Sequence, residues 1–223
     1  MKVSEIFYSL SGEGIHVGIP TIFVRLAGCN LRCAWCDTEY ALGGGEDWSV
    51  SRVAGAVRDI AHGVFVSCGR RVRWILITGG EPLIQWPEVY ELIIDIKRDG
   101  YLVEVETNGS IEMPRKFIRL VDSWNVDVKC PSSGMSYGSF KPSWLKRMRK
   151  QDQLKFVVAE EDLEFVRNFL DDNRSLRPTI LVSPVIPSAD ELWIQRVAEF
   201  CKEQNVRMSL QIHKIIWGKE RGR

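Results

Sequence analysis

Three cysteines within eight residues, Cys29, Cys33 and Cys36, constrain this chain more than any other stretch. They lie in Gly28-Cys29-Asn30-Leu31-Arg32-Cys33-Ala34-Trp35-Cys36-Asp37-Thr38, directly after an apolar run, residues 21–26, that reads as a strand. A thiolate is a soft ligand, and a tight trio selects zinc, copper(I) or an iron–sulfur cluster. A fully ligated four-iron cluster takes four cysteines, and no fourth lies nearby. Three ligands on four irons leave one iron open to a substrate or cofactor. Structural zinc closes with four ligands, often as two separated pairs, and the sequence holds no second pair. Buried free thiols are common singly, whereas three in a polar loop bearing Arg32 and Asp37 do not read as core filler.

At 223 residues the chain is expected to form one domain, 1–223, with a core large enough to need no staples. The formal net charge of +1 gives no bulk attraction to a nucleic-acid polyanion, so nucleic acid is not an expected partner. Cys68, Cys130 and Cys201 are scattered, and no secretory signal is read, so the chain is expected in a reducing cytoplasm. No apolar run approaches the ~20 residues of a membrane span.

Residues 3–8 read as a leading strand, followed by the glycine-rich turn Ser9-Leu10-Ser11-Gly12-Glu13-Gly14. Arg25 stands in the otherwise apolar strand 21–26, where a guanidinium is either at an exposed end or aimed at an anion. Ser49 is an N-cap for a helix over 50–61, with Gly63 to stop it. Residues 74–78 form a nearly continuous apolar run, as in a parallel strand buried on both faces, and lead into Gly79-Gly80-Glu81-Pro82. Glycines at a strand end are expected to leave backbone groups open to a ligand, and Glu81 to hold an ammonium. After Pro87, Val89, Leu92, Ile93 and Ile96 fall at helical spacing up to Gly100. The strand 102–107 places Glu104 and Glu106 on one face, where buried acids need partners. Further strands are read over 123–129, 153–158 and 179–182, with helices over 162–171 and 190–204; Cys201 belongs to the apolar face of the second. Residues 208–213 read as a last strand.

Strand–helix alternation of this kind predicts an α/β fold: a partial (β/α) barrel of about six or seven parallel strands with right-handed crossovers. In barrels the chemistry sits on loops at the carboxyl ends of strands. The cysteine loop, 79–82, 106–109, 127–133 and 211–213 all fall there.

The spacing Cys, three residues, Cys, one residue, an aromatic (Trp35), Cys resembles that of the radical S-adenosylmethionine (SAM) superfamily. Ser11-Gly12-Glu13-Gly14, Phe23-Val24-Arg25-Leu26-Ala27-Gly28-Cys29, Trp35-Cys36-Asp37-Thr38, Thr78-Gly79-Gly80-Glu81-Pro82, Glu106-Thr107-Asn108-Gly109 and Gln211-Ile212-His213-Lys214 together resemble the 7-carboxy-7-deazaguanine synthases over nearly the whole length. That resemblance implies a radical SAM barrel that turns 6-carboxy-5,6,7,8-tetrahydropterin into 7-carboxy-7-deazaguanine with loss of ammonia. It implies a [4Fe-4S] cluster on Cys29, Cys33 and Cys36, SAM, and Mg2+ on Thr38. It assigns Trp35, Cys36, Asp37, Gly80, Glu81, Glu106, Lys129, Pro131 and Ser132 to SAM. Leu10, Ser11, Gly12, Glu13, Arg25, Thr78 and His213 fall to the pterin, with Arg25 on its carboxylate. A homodimer and an external electron donor of flavodoxin or ferredoxin type are implied as well.

One position departs from the family: Ser11 stands where Gln is common. Two rivals stay open on sequence: another radical SAM enzyme, such as a glycyl-radical activase, and a non-enzymatic electron carrier or zinc-stabilised module.

Overall fold

The computed structural model describes residues 1–135, 139–185, 191–218 and 220–223. Its frame is one open sheet. β1 (Lys2–Leu10) and β2 (Pro20–Leu26) pair antiparallel, and the short β3 (Glu46–Asp47) adds to the outer edge of β1. From β2 the sheet continues in parallel and in chain order through β4 (Trp74–Gly79), β5 (Leu102–Thr107), β6 (Ser123–Asp127), β7 (Gln153–Val158), β8 (Thr179–Pro184) and β9 (Arg207–Met208). The parallel part, β2 and β4 to β9, is the partial (β/α) barrel expected, and β3 and β9 are the edges of the whole sheet. The leading strand read over 3–8 is β1, whereas its antiparallel pairing and the short β3 carry no signal in the sequence.

Period-two alternation divides the strands into two chemistries. Ile22, Val24, Ile75, Ile77, Val103, Val105, Trp124, Val126, Leu154 and Phe156 face outward into one apolar core. α1 (Val50–Cys68) and α2 (Trp86–Lys97) pack there through Val53, Val57, Val89, Leu92, Ile93 and Ile96. α3 (Arg115–Leu120), α4 (Ser143–Arg147), α5 (Leu163–Asp172) and α6 (Glu191–Gln204) extend the layer with Phe117, Trp144, Val166 and Phe200. The alternate positions face inward and are polar: Arg25, Thr78, Glu104, Glu106, Asn125, Asp127, Gln153, Lys155 and Ser183. Strand register sets them in rows, with Arg25 beside Thr78, Glu106 beside Asn125, and Asp127 beside Lys155.

Two boundaries differ from the sequence reading. Ser49 caps α1 by accepting the N–H of Arg52 at 3.1 Å, but the helix runs through Gly63 to Cys68. A mid-helix glycine costs only ~1 kcal/mol, too little to end a helix anchored by Val53, Ala54 and Val57. The stop is Gly69, whose left-handed φ of 70° lets its N–H donate to Phe65 O at 2.7 Å. The last strand is shorter than expected. Only Arg207 and Met208 join the sheet, and α7 (Ile212–Trp217) follows. Ser209 N–H still donates to Val182 O at 2.9 Å, and the buried Ser209 and Gln211 side chains bond to the distant Gly14 and Asp37. Asp190, where the sequence starts α6, lies outside the described residues; Cys201 is a core side chain as expected.

Residues 11–19 fold inward from the amino end of β2. Gly14 N–H donates to Ser209 Oγ at 3.0 Å and Ile15 N–H to Gln153 Oε1 at 2.8 Å. Gly14 has φ of 79°, and a Cβ there would sit 2.6 Å from Gln153 Oε1, so only glycine fits. What reads as a plain turn plugs the lower barrel.

Candidate active site

The cysteine loop crosses the carboxyl ends of the parallel strands. Ala34 N–H donates to Ser133 O at 2.9 Å, Asn108 Nδ2 to Asn30 Oδ1 at 3.0 Å, and Arg32 Nη1 to the carbonyls of Cys29 and Leu31, each at 2.8 Å. These bonds hold the backbone while Cys29, Cys33 and Cys36 stay free and half-exposed. Burial pushes the Cys33 thiol up, against the pull of Lys129, and pushes Cys36 up against the N–H of Thr38. Among the described residues no three His, Cys, Asp or Glu side chains converge closely enough to chelate one metal ion. A single zinc draws its ligands onto one point, whereas a four-iron cluster takes each thiolate on a different iron. Three soft donors on one half-exposed loop fit a cluster of that kind. Cys130 and Cys201 are buried, and Cys68 lies at the far end of α1.

The Gly79-Gly80-Glu81-Pro82 turn is closed where the sequence reading has it open. Gly80 N–H donates to Leu26 O at 3.0 Å and Glu81 N–H to Gly28 O at 2.8 Å, so both amides brace the cysteine loop. Glu81 is fully buried and offers no carboxylate for an ammonium. Its Oε1 accepts from Leu83 N–H at 2.9 Å and Thr107 Oγ1 at 2.8 Å, and Oε2 from Asn108 N–H at 2.7 Å. It clamps the β4 and β5 loops together. Burial outweighs these three donors and raises its pKa to about 7. A raised carboxyl is protonated in the folded chain and ionised in the unfolded one, so its contribution is present below pH 4.5 and is lost as pH rises to about 7. Thermal midpoints of the wild-type protein should fall across that window. Glu81→Gln should flatten the slope and cost about 1–3 kcal/mol throughout, because an amide N–H would face the N–H of Asn108. An unchanged slope in the variant would show that another group sets it.

Beneath the loop the inward polar rows form a charge ladder. Glu104 meets His16 and accepts from Gln153 Nε2 at 3.1 Å, and His16 stacks 3.9 Å from the Trp74 ring. Glu106 accepts from Thr78 Oγ1 at 2.9 Å and Asn125 Nδ2 at 3.1 Å, and burial, opposed by Lys155, raises its carboxyl. Lys155 lies 3.0 Å from Glu13 and 3.3 Å from Asp127, which also pairs with Lys129. Burial alone would raise Asp127, but the two lysines hold it below its ordinary value. Burial alone would lower the lysines, but Asp127 keeps both above theirs. The paired acids of β5 thus have protein partners, as buried charges require.

Arg25 turns inward from β2. Its Nε donates to Glu5 Oε1 at 2.8 Å, and the Tyr40 hydroxyl donates to the same oxygen at 2.8 Å. Among the described residues its Nη groups have no hydrogen-bond partner. Asp37 latches the cysteine loop to α7: Thr38 Oγ1 donates to it at 2.8 Å, Lys214 Nζ lies at 2.9 Å and His213 Nε2 at 3.9 Å. Burial would raise the Asp37 carboxyl, but His213, Lys214 and Thr38 hold it well below its ordinary value. His213 also packs on Gly12, where a Cβ would lie 2.2 Å from its Nδ1, and Ile212 N–H donates to Gly12 O at 2.9 Å. Glu13, Gly12 and His213 are thereby brought together. Ser11 is buried, with Oγ directed to Glu13 O at 3.3 Å, and Leu10 ends β1 opposite Pro20. Trp35 is half-exposed and Pro131 exposed. The Ser132 hydroxyl is taken by Asp162, whose Oδ1 also accepts the Ser132 N–H at 3.0 Å. Gln153, Asn125, Lys155, Tyr40 and Asp162 escape the sequence reading; for Lys155 a cation on a buried strand is the signal that could have found it.

A model of the radical SAM superfamily matches residues 23–158. The chain is 39% identical to the 7-carboxy-7-deazaguanine synthase of Methanospirillum hungatei, covering 97% of this chain and 85% of that one. It is 36% identical to the 7-carboxy-7-deazaguanine synthase of Koribacter versatilis, covering 99% and 98%. The crystal structure of QueE from Escherichia coli superposes with a TM-score of 0.68 at 25% identity, over 94% of this chain and 93% of that one.

Proposed function

Because the chain belongs to the radical SAM superfamily and, within it, to the 7-carboxy-7-deazaguanine synthases, we propose that it converts 6-carboxy-5,6,7,8-tetrahydropterin into 7-carboxy-7-deazaguanine. Ammonia is lost, and the product serves queuosine- or archaeosine-type 7-deazapurines. One observation carries the reading: three half-exposed thiols lie on the loop after β2, whose Arg25, with Nη groups unpaired among the described residues, is in register with Thr78, the partner of Glu106. When bound, the [4Fe-4S] cluster and SAM supply the 5′-deoxyadenosyl radical that takes a hydrogen from the pterin. Cys29, Cys33 and Cys36 would hold the cluster, and Trp35, Asp37, Gly80 and Lys129 would border SAM. Arg25 would grip the substrate carboxylate with its guanidinium fork. Gly12, Glu13, Thr78 and His213 would complete the pterin pocket, and Glu106, bonded to Thr78, would border SAM.

The same reading gives Thr38 to Mg2+, a hard cation that takes oxygen ligands and keeps waters. It brings an external one-electron donor of flavodoxin or ferredoxin type, a homodimer and cytoplasmic residence, with 1–223 acting as one domain. Among the described residues no helix is long and apolar enough to cross a membrane.

The test is anaerobic incubation of the reduced enzyme with SAM and the carboxylated pterin. Deazapurine and 5′-deoxyadenosine should appear together; 5′-deoxyadenosine without deazapurine would turn the assignment toward another radical SAM reaction. Arg25→Ala should raise KM for the pterin about tenfold or more, and Arg25→Lys by less, because Lys keeps charge but loses the fork. Equal losses would make Arg25 merely structural. Thr38→Ala should weaken stimulation by Mg2+ at unchanged iron content; undiminished stimulation would remove Thr38 from the metal.

A further inference from the structure

Tyr40 stands between two guanidinium groups. Its hydroxyl is fixed on Glu5, the same carboxylate that takes Arg25 Nε. The Arg25 guanidinium carbon lies 6.0 Å from the Tyr40 ring centre, and that of Arg221, from the segment after α7, lies 3.8 Å from it. The shorter distance is that of a guanidinium laid flat on a ring, a stacking that Lys does not reproduce. Both cations act on the Tyr40 hydroxyl from their two positions.

The local charge does not balance. The one carboxylate tied to Tyr40, Glu5, is paired with Arg25, and Arg221, exposed on the other contact of the ring, has no ion pair of its own among the described residues. Glu220, next to it in sequence, pairs instead with Arg223 at 3.2 Å. Two cations about one carboxylate leave room for a second anion. The Nη groups of Arg25 point the same way, since Glu5 engages only Nε.

We propose that Arg221, seated on Tyr40, is a second guanidinium for the substrate carboxylate and so a specificity-determining residue of the pterin site. The proposal rests on the reading of Arg25 as the carboxylate's first partner. Tyr40 is a positioning residue here. Its hydroxyl, tied to Glu5, fixes the ring, and the ring fixes the height of Arg221 over the site. Glu5 orients Arg25 by holding Nε and leaving the fork free. A carboxylate between two guanidinium groups is recognised by charge and by geometry, whereas the same ring system without the carboxylate gains nothing from Arg221.

That difference is the test. With holoenzyme under anaerobic conditions, Arg221→Ala should raise KM for the carboxylated pterin about tenfold while kcat changes by less than about twofold. Inhibition by the corresponding tetrahydropterin lacking the carboxylate should not change, and Arg221→Lys should recover only part of the lost affinity. Tyr40→Leu, which removes the platform, should reproduce the Arg221→Ala phenotype. An unchanged KM in Arg221→Ala would overturn the proposal, as would an equal loss for the uncarboxylated analogue. Arg25→Ala separates the two claims. If it raises KM and Arg221→Ala does not, the second cation alone fails; if neither does, the carboxylate site itself is misplaced and the proposal falls with it.

Discussion

Cys33→Ala is expected to give a folded, colourless protein that forms neither 5′-deoxyadenosine nor deazapurine. Cys33 lies on a loop whose conformation is held by other groups. Ala34 N–H is bonded to Ser133 O, Arg32 to the carbonyls of Cys29 and Leu31, and Asn108 to Asn30. Its thiol is half-exposed, so truncation opens no core cavity, and stability should change by less than about 1 kcal/mol. The chemistry has no such reserve, since two thiolates cannot replace three on a four-iron cluster. Iron content, the visible absorption of the cluster and SAM cleavage should all be lost together. Cys130→Ala is the control. Cys130 is buried among the core residues, so its loss should lower stability and leave colour and SAM cleavage in place. A brown, iron-replete Cys33→Ala protein would overturn the ligand assignment.

Gly80→Ala should do the opposite, damaging the scaffold first. A Cβ at Gly80 would sit 2.1 Å from Gly28 O, 2.5 Å from Gly28 C and 2.9 Å from Ala41 O, all backbone atoms that no rotamer change can move away. The β2 and β4 loops would have to part, breaking the bonds from Gly80 N–H to Leu26 O and from Glu81 N–H to Gly28 O. Overpacking joined to two lost bonds should cost at least about 3 kcal/mol. Denaturation midpoints would register it, and the cysteine loop would hold iron poorly even in the fraction that folds. Gly63→Ala is the counterpart: nothing lies within 4 Å of its Cβ, and it sits inside α1, so it should stabilise by roughly 0.5–1 kcal/mol. A Gly80→Ala protein as stable as wild type would mean that the two loops are not packed backbone to backbone.

The contrast between these glycines marks what the sequence can carry. The cysteine spacing, the apolar strands and the helical stripes are local patterns, and each was legible. The use of Gly79 and Gly80 was not, because the demand for glycine comes from Leu26, at the end of β2, and from Gly28, in the cysteine loop. Glu81 illustrates the same limit. An acid at a strand end suggests a ligand, and only the fold shows that Leu83, Thr107 and Asn108 already satisfy it. Gly63 reads as a helix stop because a glycine counts as punctuation locally, while the buried face of α1 decides the matter in three dimensions. The last strand gave way to α7 for a related reason. Ser209 and Gln211 have partners at Gly14 and Asp37, which lie 195 and 174 residues away, and no periodicity reports a bond of that span. The inward ladder was half legible. Glu104 and Glu106 announced themselves by alternation, but Lys155 and Gln153, which stabilise them, read as ordinary members of a short strand.

The joining of Gly12 to Ile212, and of Asp37 to Lys214, has a consequence for how the molecule comes into being. A nascent chain still short of residue 212 would carry a cysteine loop already braced by Asn108 and Ser133, and a glycine turn already braced by Gln153 and Ser209, but neither would yet be tied to α7.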